Sequence, residues 1–464
     1  MVKLNRWLQS AGRIDWVRAS DSGSLCRTVA REILPEEVKR SMSSPSRLRV
    51  LFVIGTMGGG GAERQVVEIL KRIDRARFEP LLYLAMKQGE LLGEVPADVP
   101  VFAFWDGSPE SPTRKCFRRL RLTRILRYFH LARILHLQQI DVVYDRTYLA
   151  TLDAAGGCLL RPTPRISCCV VDPEPELKLH ARLSVAMSWW FARRAYRSAK
   201  VVLANSDGLR KRVIEYFRLP PEHVKVFYNL LTSFRRLDAT ELDQQPEAQS
   251  AVKGPADAVE PQTATATSFL IVTAGRLHAQ KGHRFLLEAV DELVHRRGRS
   301  LSLVILGQGE AESELREFVR THQLESQVTL AGFVADPREW YRRANLFVLS
   351  SLYEGMPNAL IEAVACGLPV VSTDCPSGPS EILEGGRCGR LVPPGDALAL
   401  ADGIADAMDH SDEGRALALV AQKRVEDLFD PDVGIHRLEV LLDQIVGREA
   451  AKPDNESPGL SVIE

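Results

Sequence analysis

Two cations lie five residues apart in the second half of the chain, just after a short run of apolar residues. Arg276 and Lys281 belong to the segment 274–282, which reads AGRLHAQKG and follows the run FLIV at 269–272. The planar guanidinium of an arginine can donate two parallel hydrogen bonds to a phosphate, and the ammonium of a lysine adds a mobile point charge. Because this half of the chain is acidic overall, the two cations favour an anionic ligand such as a diphosphate. The alternative is a solvated loop that carries two cations by chance.

Two carboxylates eight residues apart follow further along the chain. The sequence around Glu354 and Glu362 reads SLYEGMPNALIEA. Gly355 suits a turn, and Pro357 suits the first turn of a helix, where its missing N–H costs nothing. The pattern therefore predicts Glu354 on a loop and Glu362 about two turns away inside a helix. Such carboxylates can bind a sugar and a ribose, with the free N–H groups of 355–358 directed at a phosphate between them. Acids that only cap a helix are the alternative.

Four consecutive glycines follow the first strand-like run of the chain. Residues 58–61 are all glycine and precede Ala62 and Glu63, after the branched apolar run LRVLFVI at 48–54. Glycines here let backbone N–H groups approach a phosphate or a sugar oxygen at the positive end of the next helix. A dinucleotide site is not indicated, because the spacing Gly-x-Gly-x-x-Gly is absent and the next strand ends in LAM without an acid. A P-loop is excluded because no Gly-Lys-Ser/Thr follows. A plain tight turn is the remaining alternative.

Short apolar runs alternate with helical patterns over most of the chain, and these elements must position the residues above. The runs form two series, which are 48–54, 79–84, 101–104, 141–144, 165–171, 201–204 and 224–227, then 269–272, 301–306, 328–330, 346–349, 369–372 and 390–392. Strands that alternate with helices predict the α/β class, with doubly wound parallel sheets.

The composition divides the chain into five parts. Residues 1–47 form a polar, basic extension, 48–237 a first α/β domain, and 268–427 a second α/β domain. Between the domains, 238–267 is rich in Asp, Gln, Ala, Pro and Thr and reads as a linker or insertion, and 428–464 holds a C-terminal helix and tail. At roughly 150 residues per domain, the length of the chain suits this division.

Together these motifs resemble family 4 of the retaining glycosyltransferases, the glycosyl transferases group 1. The segments that carry the likeness are GRLxxQKG at 275–282, LGxG at 306–309, Gly332 with Phe333, EGMPNALIEA at 354–363 and CGLPVVSTDCPSGPSE at 366–381. The likeness is dense from about 268 to 400 and extends more thinly to GGAE at 60–63. It implies the GT-B fold, in which two Rossmann-like doubly wound domains face each other across a cleft. A C-terminal helix within 434–446 would cross back to the first domain.

Carried over by position, the resemblance implies a role for each motif residue. Arg276 and Lys281 would hold the diphosphate of a nucleotide-sugar donor, Glu362 the ribose hydroxyls, and Glu354 the donor sugar. The implied catalytic residues are Arg276, Lys281 and Glu354; the other donor-binding residues are Gly275, Gly307, Gly309, Gly355, Met356, Pro357, Asn358, Ala359 and Glu362; the acceptor side has Gly60, Gly61 and Asp172. Many relatives carry a His or a similar polar residue after a middle strand of the first domain. This chain reads CCVVDP at 168–173, which offers only Asp172.

The implied reaction transfers a sugar with retention at the anomeric carbon. The stretch CPSGPSE at 375–381 resembles members that use uridine-diphosphate hexoses or N-acetylhexosamines. The acceptor would be a glycan or a polyprenyl-diphosphate-linked sugar in cell-surface polysaccharide synthesis. Cations and helix N–H groups would stabilise the negative charge that develops on the departing diphosphate, without a covalent intermediate. The alternatives are a GT-B nucleotide-sugar epimerase or sugar phosphorylase, and a non-catalytic sugar-nucleotide or membrane adaptor.

The chemistry of the chain gives no sign of a metal or cofactor. The Asp-x-Asp pattern at 430–432 lies in a proline turn, and the eight cysteines include no C-x-x-C pair. We therefore expect no metal and no cofactor, with the nucleotide-sugar as a co-substrate. The N-terminus lacks the apolar core of a signal peptide, and no run of about 18 apolar residues occurs. These features predict a cytoplasmic protein.

The charge is divided between the two halves of the chain. Lys+Arg and Asp+Glu number 60 each, yet residues 1–234 carry a net charge of +15 and the remainder −15. Within the basic half, 114–135 contains eight cations and no acid among many apolar residues, and WWFARRAYR at 189–197 has the same mixture.

A basic amphipathic helix of this kind can lie on anionic lipid, each cation adding about 1 kcal/mol. We therefore expect 114–135 to bind an anionic membrane surface, at the inner face of the plasma membrane. The alternative is that its apolar face packs on the sheet while the cations face water. No nucleic acid is expected as a partner, because no recognition motif accompanies the cations.

Overall fold

The computed structural model describes residues 47–106, 123–180, 184–231, 269–334 and 336–448. The expected linker 238–267, nearly all of the extension 1–47 and the part of the basic stretch before 123 lie outside the described residues.

The first domain is built on a sheet of seven parallel strands. They are β1 (Leu48–Ile54), β2 (Phe78–Met86), β3 (Val101–Trp105), β4 (Val142–Arg146), β5 (Arg165–Cys169), β6 (Val201–Ala204) and β7 (Val224–Val226). Their order in the sheet is β3-β2-β1-β4-β5-β6-β7, so the chain winds outward in both directions from the β1–β4 pair. This is the doubly wound arrangement that the alternation of strands and helices predicts, and the strand positions are confirmed.

The helices of the first domain cover both faces of this sheet. They are α1 (Gly61–Arg72), α2 (Thr123–Leu137), α3 (Tyr148–Leu160), α4 (Pro173–His180), α5 (Val185–Arg197) and α6 (Asp207–Phe217), with short 3₁₀ turns at Glu90–Glu94 and Pro221–His223. Because helices lie on both sides, β1 is buried along almost its whole length, and this explains its continuous apolar sequence.

The second domain repeats the plan with six parallel strands. They are β8 (Phe269–Ala274), β9 (Leu301–Leu306), β10 (Val328–Gly332), β11 (Leu346–Leu349), β12 (Val370–Thr373) and β13 (Arg390–Val392), in the order β10-β9-β8-β11-β12-β13. Its helices are α7 (His283–Asp291), continued by a π-helical turn at Glu292–Arg296, α8 (Glu312–Thr321), α9 (Arg338–Arg343), α10 (Asn358–Ala365), α11 (Pro379–Ile382), α12 (Ala397–Asp409) and α13 (Ser411–Leu428), with 3₁₀ turns at Ala279–Lys281 and Glu384–Gly386. The fold is therefore α/β with two doubly wound domains.

The last helix returns to the first domain. It is α14 (Pro431–Val446), which begins three residues before the expected range 434–446. Its buried residues Ile435, Leu438 and Leu442 join the core formed by β1 and α1. Asp430 caps the helix by accepting hydrogen bonds from the next backbone N–H groups, 2.8 Å each, so this acid of the Asp-x-Asp pattern has a structural role.

A buried ion pair lies under α3 and α5 in the first domain. Nη1 of Arg165 donates to Oδ2 of Asp145 at 2.9 Å, and the two residues are 2% and 0% exposed. Ser167 and Thr151 donate to the same carboxylate at 2.8 and 2.5 Å, and Ser198 Oγ accepts from Arg165 at 3.0 Å. Every charged group of this cluster is therefore compensated inside the protein.

Breaking this pair should destabilise the fold. Arg165→Met leaves the Asp145 carboxylate buried without its cation, so we expect the free energy of unfolding to fall by about 3–5 kcal/mol. Urea denaturation measures the change. Arg161→Met is the matched control, because Arg161 is exposed at the end of α3 and should change stability by less than about 0.5 kcal/mol. Equal effects of the two substitutions would contradict the structural role of Arg165.

Candidate active site

One cavity of about 550 Å³ lies between the two domains, where the carboxyl ends of both sheets face each other. Its size is typical of a small-molecule site. Most of the residues expected from sequence line it, namely Gly60, Gly61, Gly275, Arg276, Lys281, Gly307, Glu354, Met356, Pro357, Asn358, Ala359 and Glu362. Gly309, Gly355 and Asp172 are not among the lining residues.

The two loops of the second domain are tied together by an ion pair. Lys281 Nζ donates to Oε1 of Glu354 at 2.5 Å, and the same oxygen accepts from Ser351 Oγ at 2.7 Å. Gln280 Nε2 donates to the Tyr353 carbonyl at 2.9 Å. The loops after β8 and β11 therefore form one unit, which directs a cation and a carboxylate into the cavity.

Gly355 and Pro357, which predict a turn followed by a helix, lie directly before the start of α10. Pro357 directly precedes the helix, and backbone N–H groups at its first turn have no acceptor within the helix. Glu362 lies inside α10, is 7% exposed and lines the cavity beside Tyr341. Burial and the Glu362 carboxylate raise the pKa of Tyr341 well above its usual value, so its phenol stays protonated.

Glycines set the closest approaches in and around the site. A Cβ at Gly355 would overlap the carbonyl oxygen of Val170 in the first domain, and one at Gly307 would overlap the Gly275 carbonyl. Gly309 packs in the same way on the Leu277 carbonyl. Gly309 and Gly355 therefore shape the cavity through the backbone, from positions behind its lining.

Asparagine side chains bridge the two domains at the cavity floor. Asn358 Nδ2 donates to the Gly61 carbonyl at 3.1 Å, and Asn358 Oδ1 accepts from Asn229 Nδ2 at 2.6 Å. Asn229 lies just after β7, on the segment that leaves the first domain. The entrance of α10 is thus fixed relative to the glycine turn.

The structure places Asp172 outside the cavity lining. Its carboxylate accepts from Arg212 Nε at 3.1 Å and from the backbone N–H of Glu174 at 2.9 Å, at the start of α4. Both oxygens are therefore used within the first domain. The carboxylates that this domain does present to the cavity are Glu63, Glu90 and Glu176.

Sequence reasoning missed these three glutamates as site residues, together with Arg146 and Asn229. Glu63 lies two residues after the end of the glycine run, and that position is the one local signal for it. Burial raises the pKa of Glu63, while the charges of Arg276 and Arg146 oppose this shift.

A buried histidine lies next to the cationic loop. His283, at the start of α7, is 4% exposed, and its ring nitrogens have no hydrogen-bond partner among the described residues. Burial lowers the pKa of His283 to about 4, with a smaller contribution from Lys281. The imidazole is therefore neutral at neutral pH and adds no charge to the site.

Within the described ranges, no group of three or more His, Cys, Asp or Glu side chains is arranged to hold a metal ion. No helix in the same ranges has the length and apolarity needed to cross a membrane.

Part of the basic stretch 114–135 has a structural role. Arg124 Nε and Arg127 Nη1 in α2 lie 3.8 and 3.2 Å from the carboxylate of Asp153 in α3, so these two cations pair within the protein. Arg133 is exposed, while Arg114, Lys115, Arg118, Arg119 and Arg121 lie outside the described residues.

Both domains match families of known proteins. Residues 268–410 match the family described as Glycosyl transferases group 1, and 59–231 match Glycosyltransferase Family 4. Solved structures share the fold: the chain aligns with Anabaena HepE in complex with UDP-glucose at a TM-score of 0.66 and 22% identity, covering 86% of this chain and all of that one. Sucrose-phosphate synthase of Thermosynechococcus elongatus aligns at a TM-score of 0.66 and 16% identity, with the same coverage.

Curated relatives cover the chain to different extents. An N-acetylgalactosamine-N,N'-diacetylbacillosaminyl-diphospho-undecaprenol 4-alpha-N-acetylgalactosaminyltransferase of Campylobacter jejuni is 25% identical over 84% of this chain and 98% of its own length. The putative colanic acid biosynthesis glycosyltransferase WcaL of Escherichia coli is 35% identical, but over 40% of this chain and 47% of its own length. The uncharacterized glycosyltransferase MJ1059 of Methanocaldococcus jannaschii is 41% identical, and the match spans 25% of this chain and 28% of its own length.

The two family matches define the class of protein, a glycosyltransferase, and its fold is GT-B. The chain belongs to the glycosyltransferase family 4 type. Residues 59–231 form its family 4 domain, and residues 268–410 form its group 1 domain on the other side of the cleft.

The contact between Gly355 and the first domain should limit closure of the cleft. Gly355→Ala places a methyl group against the Val170 carbonyl, so the domains must separate, and we expect glycosyltransferase activity to fall at least about tenfold. Activity and the radius of gyration from X-ray scattering are measured together. Gly93→Ala is the control, because a Cβ there meets nothing within 4 Å. A Gly355→Ala variant as active and as compact as the wild type would refute this view of closure.

Proposed function

We propose that the chain is a retaining glycosyltransferase that uses a uridine-diphosphate sugar. The acceptor is a glycan or a polyprenyl-diphosphate-linked sugar in cell-surface polysaccharide synthesis, at the cytoplasmic face of the membrane. The observation that carries the proposal is the convergence of Arg276, Lys281, Glu354 and the entrance of α10 in one cavity that faces the glycine turn of the first domain.

In this proposal the leaving group is stabilised electrostatically. Arg276, Lys281 and the N–H groups at the start of α10 would surround the diphosphate, and Glu362 would bind the ribose. Fixed charges of this kind stabilise the negative charge that develops as the sugar–oxygen bond breaks. A departing phosphate oxygen takes the proton of the acceptor hydroxyl, so neither a metal nor a covalent intermediate is needed.

The ion pair of Lys281 and Glu354 holds two opposite charges side by side in the cavity. A bound diphosphate can take over Lys281, and Glu354 is then released to accept hydrogen bonds from sugar hydroxyls. Relatives support the choice of substrates: the Anabaena HepE structure contains UDP-glucose, and the name of the Campylobacter enzyme specifies a diphospho-undecaprenol acceptor.

Removal of Lys281 should abolish most donor use. Lys281→Ala deletes a diphosphate cation and leaves Glu354 as an unpaired carboxylate that repels the donor. We expect kcat/KM for the donor to fall by about a hundredfold or more. Release of nucleoside diphosphate from a panel of nucleotide sugars, with and without a lipid-linked acceptor, measures this. Lys423→Ala is the control, since Lys423 is exposed on α13.

The same assay separates the alternatives. Release that does not depend on the acceptor argues against a transferase, and binding without release indicates an adaptor. The anomeric configuration of the product, read by NMR, tests retention, because an inverted product would refute the proposed mechanism. If a donor with another nucleotide base is the one used, only the choice of UDP is refuted, and the proposed transfer reaction stands.

We further propose that the first domain binds anionic lipid through a helical face formed by α2, α3 and α5. Helix α3 packs against both α2 and α5. Apolar side chains of all three helices are exposed, among them Phe129, Leu159, Trp190 and Phe191. Helices α2 and α5 contain no acid, and Asp153 in α3 is buried. The expected contact within 114–135 thus becomes part of a wider surface, with Arg133, Arg194 and Arg197 as exposed cations.

This surface should govern vesicle binding. The double substitution Trp190→Ser, Phe191→Ser removes two half-exposed aromatic side chains, and we expect the affinity for phosphatidylglycerol vesicles to fall at least about tenfold. Co-sedimentation at low salt measures binding. The matched control is Leu419→Ser, Val420→Ser on α13, which removes an apolar pair of somewhat greater exposure from the second domain. Unchanged binding by the aromatic variant, or an equal loss in the control, would rule out this surface.

A further inference from the structure

Arg146, the last residue of β4, is a buried cation that forms no ion pair among the described residues. Its side chain lines the cavity, and the residue is 2% exposed. Nη1 donates to the Tyr144 hydroxyl at 3.2 Å and Nη2 to Asn229 Oδ1 at 2.6 Å. Among the described residues, Nε has no acceptor, and no carboxylate oxygen lies within 4.0 Å of the guanidinium. Its positive charge therefore meets only neutral oxygens at hydrogen-bond distance.

Arg165 is a buried arginine with a structural role, and its charge is neutralised inside the first domain. It is also 2% exposed, yet it pairs with Asp145 and donates further hydrogen bonds to Ser167 and Ser198. The two arginines belong to neighbouring strands and are equally buried. They differ in that Arg165 lies under helices, whereas Arg146 faces the cleft without a charged partner.

The position of Arg146 is one where parallel sheets bind ligands. Strands β1 and β4 are neighbours from which the chain winds in opposite directions, and the crevice at their carboxyl ends is the switch point of the sheet. In the second domain, Arg276 and Glu354 occupy the loops after β8 and β11, which form the equivalent switch point. Arg146 thus lies at the switch point of the first domain, as Arg276 and Glu354 lie at that of the second.

Arg146 also lies next to the entrance of α10. The amide of Asn229, which accepts from Arg146, donates to Asn358 Oδ1 at 2.6 Å and to the Met356 carbonyl at 3.2 Å. One side chain therefore separates the guanidinium from the segment where the proposed donor phosphates lie.

The charge of Arg146 acts on the Glu63 carboxyl group in the cavity, but the two residues form no ion pair. Glu63 lies beyond ion-pair distance of Arg146, and burial raises the pKa of its carboxyl group despite the opposing charges of Arg276 and Arg146. An anionic ligand oxygen would supply the missing charge, and charge-assisted hydrogen bonds from a guanidinium to phosphate are among the strongest available.

We infer that Arg146 is a substrate-binding residue that donates hydrogen bonds to a phosphate group in the cleft. The inference deepens the proposed function and rests on it. Two sources share this chemistry: the diphosphate of the donor and the diphosphate of a lipid-linked acceptor.

Titration calorimetry with the whole protein tests the inference and separates the two sources. Wild type, Arg146→Met and Arg146→Lys are titrated with UDP, and then with farnesyl diphosphate in the presence of saturating UDP. Arg146→Met should weaken one of these ligands at least about tenfold, and Arg146→Lys, which keeps the charge, should weaken it less. Loss of UDP binding assigns the donor, and loss of farnesyl diphosphate binding alone assigns the acceptor. Both dissociation constants within twofold of the wild-type values overturn the inference.

Two controls keep the result interpretable. Arg161→Met, an exposed arginine of the same domain, should leave both dissociation constants unchanged. Thermal unfolding shows whether Arg146→Met is folded, and if it is not, Arg146→Lys provides the comparison at two salt concentrations. Inorganic pyrophosphate is a probe that needs neither nucleotide nor transfer. If wild type binds pyrophosphate but transfers no sugar, the proposed function fails, and the same titration of Arg146→Met still decides the role of Arg146.

Discussion

The ion pair between Lys281 and Glu354 is the interaction on which the geometry of the site depends. It connects two loops that are 73 residues apart in sequence and holds a cation and a carboxylate at the same wall of the cleft. The surrounding hydrogen bonds from Ser351 and Gln280 leave these loops little freedom. A site prepared in this way needs little reorganisation when a charged substrate arrives, and fixed charges are most effective under that condition.

The pair can act on a substrate only because the first domain is held against it. Several contacts cross the cleft: the Glu381 carboxylate accepts from the Asp207 backbone N–H and from the Tyr228 hydroxyl, and Gln308 donates to Glu90 at 3.2 Å. The two segments that connect the domains are joined to each other by the hydrogen bond from Leu231 N to the Phe429 carbonyl, at 2.8 Å. Helix α14 then anchors the end of the chain in the first core. Closure is thus maintained by polar contacts around the cavity, together with apolar contacts at the connecting segments, where Leu231 packs in the second core and α14 in the first.

The sequence predicted those features that are encoded locally. Strands buried on both faces must be continuously apolar, so their positions could be read directly. The glycines, Pro357 and the charged residues of 274–282 and 351–363 lie within short continuous segments, each a loop or a loop with the helix that follows it. The missed features depend on partners far away in sequence. Asn229 meets Asn358 across 129 residues, and Asp172 is occupied by Arg212, which is 40 residues away. Arg146 ends a run of buried residues in which Asp145 is also polar, and nothing in the run VVYDR tells which of the two is paired inside the protein.

The division of charge between the halves of the chain has a different meaning in three dimensions. Among the described residues of the first half, Arg133, Arg194 and Arg197 are exposed cations on helices that cover the sheet. The wall that this domain presents to the cavity carries three carboxylates, Glu63, Glu90 and Glu176, and two cations, Arg64 and Arg146. A net positive half therefore does not imply a positive active site. Repulsion by these carboxylates would keep a polyanion from entering the acceptor side broadly, and sugar hydroxyls can donate hydrogen bonds to them instead. The guanidinium of Arg146, which has no carboxylate partner in this wall, acts over a short range among the carboxylates, so it can select a phosphate at one position without attracting anions to the whole cleft.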